Sequence, residues 1–162
     1  MLRNGHDAVA IVTGGSTRTG REIARGLAGW GWAIVVVYLE DQRRAEATVA
    51  EILAAAGRTV AVRADLADDL DVQRLFAESS AAFGGVDTVV HTTEGSAGLL
   101  YEHAARHVRA GGVLVIVSAA ERLTPGVARQ LRERGITVGW APPGAVLSFL
   151  DDWRRAEASG VL

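Results

Sequence analysis

Eight consecutive residues, Thr13 to Gly20, combine glycines, hydroxyls and one arginine in the order TGGSTRTG. An unbroken apolar run, Ala8 to Val12, precedes them and suits a strand buried on both faces. After them, Ile23, Leu27 and Trp30 recur at helical spacing, so the turn opens directly into a helix. The first N–H groups of a helix have no intrahelical acceptor, and a glycine-rich turn lets a ligand approach them. Strand, turn and helix in this succession form a phosphate cradle, the context that a dinucleotide fingerprint requires.

A second group could move protons. His91 and Glu94 stand at the carboxyl end of a later apolar stretch, and Ser118 and Glu121 follow another, so the four can gather as a polar cluster. Equally, they can be solvated turn residues. His103 and His107 are spaced i, i+4 as metal ligands can be, but they share a face with Leu99, Leu100 and Ala104 and lack a third ligand. Packed histidines are the preferred reading, and no metal site is expected. Trp30, Trp32 and Trp140 are taken as core or rim packing, with Trp140 near enough to Pro143-Gly144 to line a pocket.

The residues absent from the chain narrow the chemistry. It has no cysteine, which removes disulfides, thiolate catalysis and cysteine zinc sites. All 17 basic residues are arginine, which removes Schiff bases and lysine acid/base chemistry.

These groups are positioned by an alternation of elements. Apolar strands are predicted at Ala8–Val12, Ala33–Tyr38, Thr59–Val62, Val86–His91, Gly112–Val117 and Ile136–Trp140. Helices are predicted from Thr19, then at Asp41–Ala56 with Val49, Ile52, Leu53 and Ala56 on one face, and at Asp69–Phe83 burying Val72, Leu75, Phe76 and Phe83. Further helices are expected at Leu99–Ala110, Gly126–Arg134 and Ala145–Ala158, the last with Val146, Leu150 and Trp153 on its stripe. Such alternation implies an α/β fold, a Rossmann-like doubly wound parallel sheet of about six strands with helices on both faces. The 162 residues fit a single domain, 1–162. Ligands in such sheets lie beyond the carboxyl ends of the strands, the edge that carries Gly14, Tyr38, Asp65, His91, Ser118 and Pro143.

A net charge of −2 without a basic cluster argues against nucleic acid or an anionic membrane as partner. No apolar run has signal-peptide character or reaches membrane-spanning length, so a cytoplasmic protein acting on a small molecule is expected. A homo-oligomer stays open.

Over nearly the whole chain the residues resemble the short-chain dehydrogenase/reductase family. The resemblance rests on Thr13-Gly14-Gly15-Ser16 through Gly20, Asp65-Leu66 after the third strand, GGVLVIVS before the fifth turn, and GITV followed by Pro143-Gly144. It implies that Gly14, Gly15, Ser16, Thr17 and Gly20 form the pyrophosphate turn. Asp65 and Leu66 would meet the adenine, and Thr93, Pro143 and Gly144 would lie toward the nicotinamide. Arg18 replaces the middle glycine and Tyr38 stands where NAD-preferring members keep an aspartate, so NADP(H) is favoured and NAD(H) is the alternative.

The departures concern catalysis. The family uses a serine and a Tyr-x-x-x-Lys pair, whose lysine lowers the tyrosine pKa. Here the only tyrosines are Tyr38 and Tyr101, the serine position falls on Ala119 with Ser118 one residue early, and the interval Ser118 to Gly135 is short. The family's Asn-Asn-Ala-Gly becomes His91-Thr92-Thr93-Glu94. Two functions follow. One is an NADP(H)-binding protein with non-standard catalysis, either hydride transfer to an acceptor needing no tyrosine acid or a non-redox dehydration, isomerisation or cyclisation, with Glu94, His91 and Ser118 as catalytic candidates. The other is a non-catalytic module of the same fold, a cofactor sensor, structural subunit or partner of a larger enzyme. The sequence leaves open which one holds, and so whether the chain is an enzyme.

Overall fold

The apolar runs form strands because β-branched residues dominate them, and in the computed structural model, which describes residues 8–93, 95 and 97–160, they lie side by side in one sheet. In chain order the elements are β1 (Val9–Val12), α1 (Arg18–Gly29), β2 (Ala33–Tyr38), α2 (Gln42–Ala54), β3 (Arg58–Arg63), α3 (Asp69–Phe83) and β4 (Val86–His91). Then follow α4 (Gly98–His107), β5 (Val108–Ile116), α5 (Pro125–Glu133), β6 (Thr137–Trp140), a 3₁₀ turn (Pro143–Ala145) and α6 (Val146–Ala158). All strand pairs are parallel, in the order β3-β2-β1-β4-β5-β6. The chain winds outward from β1 to β3, returns to β4 and winds the other way. The switch point therefore lies between β1 and β4, where Val12 is level with Val90.

Each face of the sheet carries its own core. On one, Val12, Ile34, Val36 and Val115 pack against Ile23 and Leu27 of α1, Ile52 of α2, and Val146, Leu150 and Trp153 of α6. On the other, Ile11, Val35, Val89 and Leu114 meet Leu75 and Phe76 of α3, Leu100 and Tyr101 of α4, and Leu131 of α5. The central strands β1, β2 and β4 and the second half of β5 are buried on both sides by the return helices, which is why their sequences are largely apolar rather than alternating, whereas the edge strands β3 and β6 are only partly covered.

Two elements differ from the sequence expectation. Helix α2 buries Ala45, Thr48 and Ile52, while Leu53 is 53% exposed and Ala56 stands outside the helix at φ +62. The polar Thr48 is drawn inward because its hydroxyl donates to the Gly15 carbonyl at 3.1 Å, a tertiary bond that hydropathy does not reveal. Helix α4 ends at His107 rather than Ala110, and β5 begins at once. There the Arg109 guanidinium bonds both the Asp87 carboxylate (2.9 Å) and the Gly84 carbonyl (2.8 Å), drawing the segment onto the sheet edge. The surplus residues form an irregularity between Val86 and Thr88 of β4, through Gly111 at φ +80.

Beside this irregularity, a Cβ on Gly112 would come within 2.4 Å of the Asp87 carbonyl oxygen, a backbone atom that cannot yield without breaking the ladder. Gly112→Ala is expected to lower the free energy of unfolding by about 1–3 kcal/mol. Gly126→Ala, in open space on α5, should leave it unchanged or raise it by about 0.5 kcal/mol. Urea unfolding of both variants beside the wild type checks this.

Candidate functional site

The phosphate turn is fixed from three sides. Thr17 caps α1, its hydroxyl donating to the Gly14 carbonyl (2.7 Å) and accepting from the Gly20 N–H (3.1 Å). The Gly15 N–H donates to the Val37 carbonyl of β2 at 2.8 Å, and Thr48 holds its carbonyl. Gly14 sits at φ +66, and a Cβ there would lie 2.4 Å from the Thr92 hydroxyl. Gly20 faces the Gly14 carbonyl, which would be 2.1 Å from an added Cβ, so the helix can approach the turn only without a side chain.

Thr13 joins this turn to β4. Its hydroxyl accepts the Thr92 N–H at 2.9 Å and shares a 2.9 Å hydrogen bond with His91 Nδ1, while its carbonyl accepts from the Thr92 hydroxyl at 2.7 Å. Thr13 is fully buried, and among the described residues its hydroxyl proton has only His91 Nδ1 as acceptor. The ring proton of neutral His91 is thereby assigned to Nε2. Burial lowers the His91 pKa to about 4, so the ring is neutral at pH 7 and cannot act there as an imidazolium acid.

Around the turn opens a cavity of about 510 Å³, within the range of small-ligand sites. Gly14, Ser16 and Thr17 form one wall, Tyr38 with Glu40 and Asp41 the second, and Asp65 with Leu66 the third. His91 and Thr93 close the inner end. Asp65 is held in place by its own neighbours, its N–H donating to Asp71 (2.8 Å) and its carboxylate accepting from the Ala67 N–H (2.9 Å). The Asp65 N–H is also the chief reason that Asp71's own pKa lies below the usual carboxylate value.

Other candidates are placed elsewhere. Arg18 does not line the cavity; its side chain is 91% exposed and pairs with Glu22 at 3.0 Å. Gly15 and Gly20 lie behind the turn, outside the lining. Pro143 and Gly144 form the exposed 3₁₀ turn beyond β6, also outside the cavity. Ser118 is not brought to His91, for its hydroxyl accepts the Ala120 N–H at 3.3 Å within its own loop. Glu94 lies outside the described residues. His103 bonds Asp69 through Nε2 at 2.8 Å and forms a three-ring cluster with Phe76 and His107, with ring centroids 6.2 Å (His103 to Phe76), 5.6 Å (His103 to His107) and 5.4 Å (Phe76 to His107) apart, which accounts for the i, i+4 pair as packing. Trp32 is buried, whereas Trp140 is 47% exposed and its indole N–H reaches the Glu121 carbonyl at 3.3 Å.

The sequence does not mark Thr48, Asp71, Tyr101 or, beyond its place in the turn, Thr13 as site residues. All but Tyr101 act through hydroxyl or carboxylate bonds to backbone elsewhere in the chain. Tyr101, read only as one of two tyrosines, has its ring edge-to-face with His91, centroids 5.8 Å apart. Its hydroxyl is buried and, like His91 Nε2, has no hydrogen-bond partner among the described residues. Burial pushes the Tyr101 pKa up and keeps the phenol protonated, and the Glu121 carboxylate adds to the effect by its charge and by a side-chain contact with the phenol that falls short of ideal hydrogen-bond geometry. Each such orphan costs a folded protein about 1–3 kcal/mol.

A family model described as short chain dehydrogenase matches residues 8–110. A 3-oxoacyl-(acyl-carrier-protein) reductase of Synechocystis is 37% identical over 83 residues, 51% of this chain but 34% of that protein. A hydroxynaphthalene reductase-like protein of Metarhizium majus is 29% identical over 187 residues, 89% of this chain and 70% of the other. The chain thus matches about a third of the length of the Synechocystis reductase. Among solved structures, a short-chain dehydrogenase of Burkholderia cenocepacia in complex with NADP superposes with a TM-score of 0.71 at 28% identity, over 85% of this chain and 74% of that one. A short-chain dehydrogenase/reductase of Serratia marcescens gives a TM-score of 0.72 at 27% identity over the same shares.

The depressed His91 pKa links stability to pH. Unfolded, the ring titrates near its ordinary value of 6.5, and folded near 4, so between these values the unfolded chain binds more protons. The His91 contribution is present above about pH 6.5 and is lost as pH falls through about 4. Denaturation curves across this window should show stability falling with pH, and His91→Asn should flatten the slope. An equal slope in the variant would contradict the burial argument.

Proposed function

The chain belongs to the short-chain dehydrogenase family, and on that premise we propose that it binds a nicotinamide dinucleotide, NADP(H) in preference to NAD(H), and acts on a small molecule without the family's tyrosine–lysine proton transfer. The observation that carries this reading is the Cβ-free turn at Gly14 opening into the cavity bounded by Tyr38, Asp65 and His91. The open N–H groups at the start of α1 and the Ser16 and Thr17 hydroxyls suit a pyrophosphate. Asp65, fixed through its N–H and one carboxylate oxygen, keeps acceptor capacity for an adenine amino group, and Leu66 gives an apolar contact. When bound, the nicotinamide ring would supply hydride chemistry.

Support for the phosphorylated cofactor comes from Arg18 at the first position of α1 and from the NADP-bound Burkholderia relative. The exposed Arg18–Glu22 pair is weak, so the guanidinium can exchange Glu22 for a 2′-phosphate at little cost. Glu40 and Asp41, on the cavity wall that Tyr38 forms, oppose that phosphate. Calorimetric titration should give NADPH at least about tenfold tighter than NADH. Arg18→Ala should remove that preference, and Glu40→Gln should increase it. Equal affinities in the wild type would overturn the NADP(H) assignment.

The catalytic part of the proposal rests on what stands where the family's proton donor would. The chain has no lysine, and only the nine-residue α5 lies between β5 and β6. Neutral, buried His91 holds a proton but does not release one readily. Glu94 is the acid/base candidate that remains beside it in sequence. General acid catalysis contributes about 10²–10⁴ in rate, so NADPH oxidation with unactivated ketones should stay near background. On the physiological substrate, Glu94→Gln should lower turnover by at least about 10². Robust ketone turnover would refute the loss of proton transfer, and cofactor binding without any turnover would favour the non-catalytic module.

A further inference from the structure

One peptide unit of the phosphate turn is oriented by a single side chain. The Gly14–Gly15 unit is held at both ends, its N–H donating to the Val37 carbonyl at 2.8 Å and its carbonyl accepting from the Thr17 N–H (2.9 Å) and hydroxyl (2.7 Å). The next unit, Gly15–Ser16, is held through its carbonyl alone, which accepts the Thr48 hydroxyl at 3.1 Å. The Ser16 N–H has no acceptor among the described residues. Thr48 is 1% exposed, on the face of α2 that also buries Ala45 and Ile52. Valine has the same branched shape, so what threonine adds at this buried position is a donor. Its one proton is shared between the Gly15 carbonyl and the Arg44 carbonyl one turn back in α2, at 3.2 Å.

We propose that Thr48 is a positioning residue for the dinucleotide: by holding the Gly15 carbonyl it keeps the Ser16 N–H turned toward the ligand's phosphate. The inference rests on the cofactor reading above for the identity of the anion. No described peptide bond is cis, and in a planar trans unit the N–H points opposite to the C=O. With the carbonyl directed at α2, the N–H is directed away from it, and Ser16 lines the cavity. Rotating the unit would exchange the two groups. A carbonyl oxygen would then face the anion where a donor stands now, and attraction would become repulsion. Glycine on the amino side of the unit offers no side chain to resist that rotation. Nor can position 15 be stiffened by a larger residue, because a Cβ there would lie 2.0 Å from Val36 Cγ1. The restraint therefore falls to Thr48. A turn that samples both orientations binds with an affinity reduced by the fraction in the competent one.

The test compares wild type, Thr48→Val and Thr48→Ser, with NADPH, ADP and adenosine as probes. In amide NMR of the wild type, the Ser16 proton should move downfield when NADPH or ADP binds and stay in place with adenosine, which has no phosphate. Thr48→Val should weaken NADPH and ADP by a common factor of about three to ten and leave adenosine affinity unchanged. Thr48→Ser keeps the hydroxyl and should restore most of the loss. A purely structural role would lower the melting temperature or weaken all three probes alike. Unchanged NADPH and ADP affinity in Thr48→Val, an equal loss for adenosine, no recovery in Thr48→Ser, or a wild-type Ser16 amide that ignores a bound phosphate would each overturn the inference. Where Thr48→Val does not fold, Thr48→Ala takes its place with the same expectations. The ADP arm separates the two readings. A wild type that binds ADP but neither NADPH nor NADH removes the nicotinamide assignment, and the ADP titrations still decide the role of Thr48; a wild type that binds no phosphate probe overturns both.

Discussion

The Thr13 hydroxyl is the junction on which this molecule turns. It lies where β1 gives way to the phosphate turn, and it is bonded to both His91 and Thr92 at the end of β4, so the two strands that flank the switch point end in one rigid polar knot. The turn cannot shift relative to β4 without breaking buried hydrogen bonds, and Gly14 has no room to relax because Thr92 and Thr93 fill the space where its side chain would be. Turn geometry, cavity shape and the His91 tautomer are therefore one property.

From this junction the polarity of the molecule follows. Burial on both sheet faces makes the strands apolar, and the polar residues collect where strands end and helices begin. At the carboxyl edge these ends converge on a cavity. At the opposite edge Asp87 accepts the Val9 N–H and pairs with Arg109, tying β1, β4 and β5 together. The two ends are built from the same types of residue, yet at the carboxyl edge the buried His91, whose Nε2 has no partner among the described residues, lines open volume.

The chemistry of the carboxyl edge is shaped by the absence of lysine. Without a lysine ammonium near the inner end of the cavity, Tyr101 is held protonated by burial and by Glu121, and His91 is held neutral by burial. Both become hydrogen-bond donors rather than proton shuttles. The low dielectric that prevents their ionisation strengthens any hydrogen bond they make.

Much of the architecture was legible in the sequence because its signals are local. Continuous β-branched runs specify strands buried on both faces, the stripes of Val146, Leu150 and Trp153 or of Val72, Leu75 and Phe76 specify helix faces, and the Thr13 to Gly20 turn can be read in eight residues. The alternation itself places Gly14, Tyr38, Asp65 and His91 at one edge, since parallel strands must all end there. What depended on distant partners was not legible. Helix α2 turns Thr48 inward because of a carbonyl 33 residues away, and β5 starts early because Arg109 finds Asp87 across the sheet. Arg18 points to solvent because Glu22 is one helical turn along, and Ser118 satisfies its own loop. Tyr101 stands out in sequence only as one of two tyrosines, and only the packing of α4 against the end of β4 brings its ring against His91. Periodicity encodes which face of an element is buried, whereas the pairing of polar atoms across the core is decided by the tertiary structure, because each bond joins residues whose separation along the chain carries no local signal.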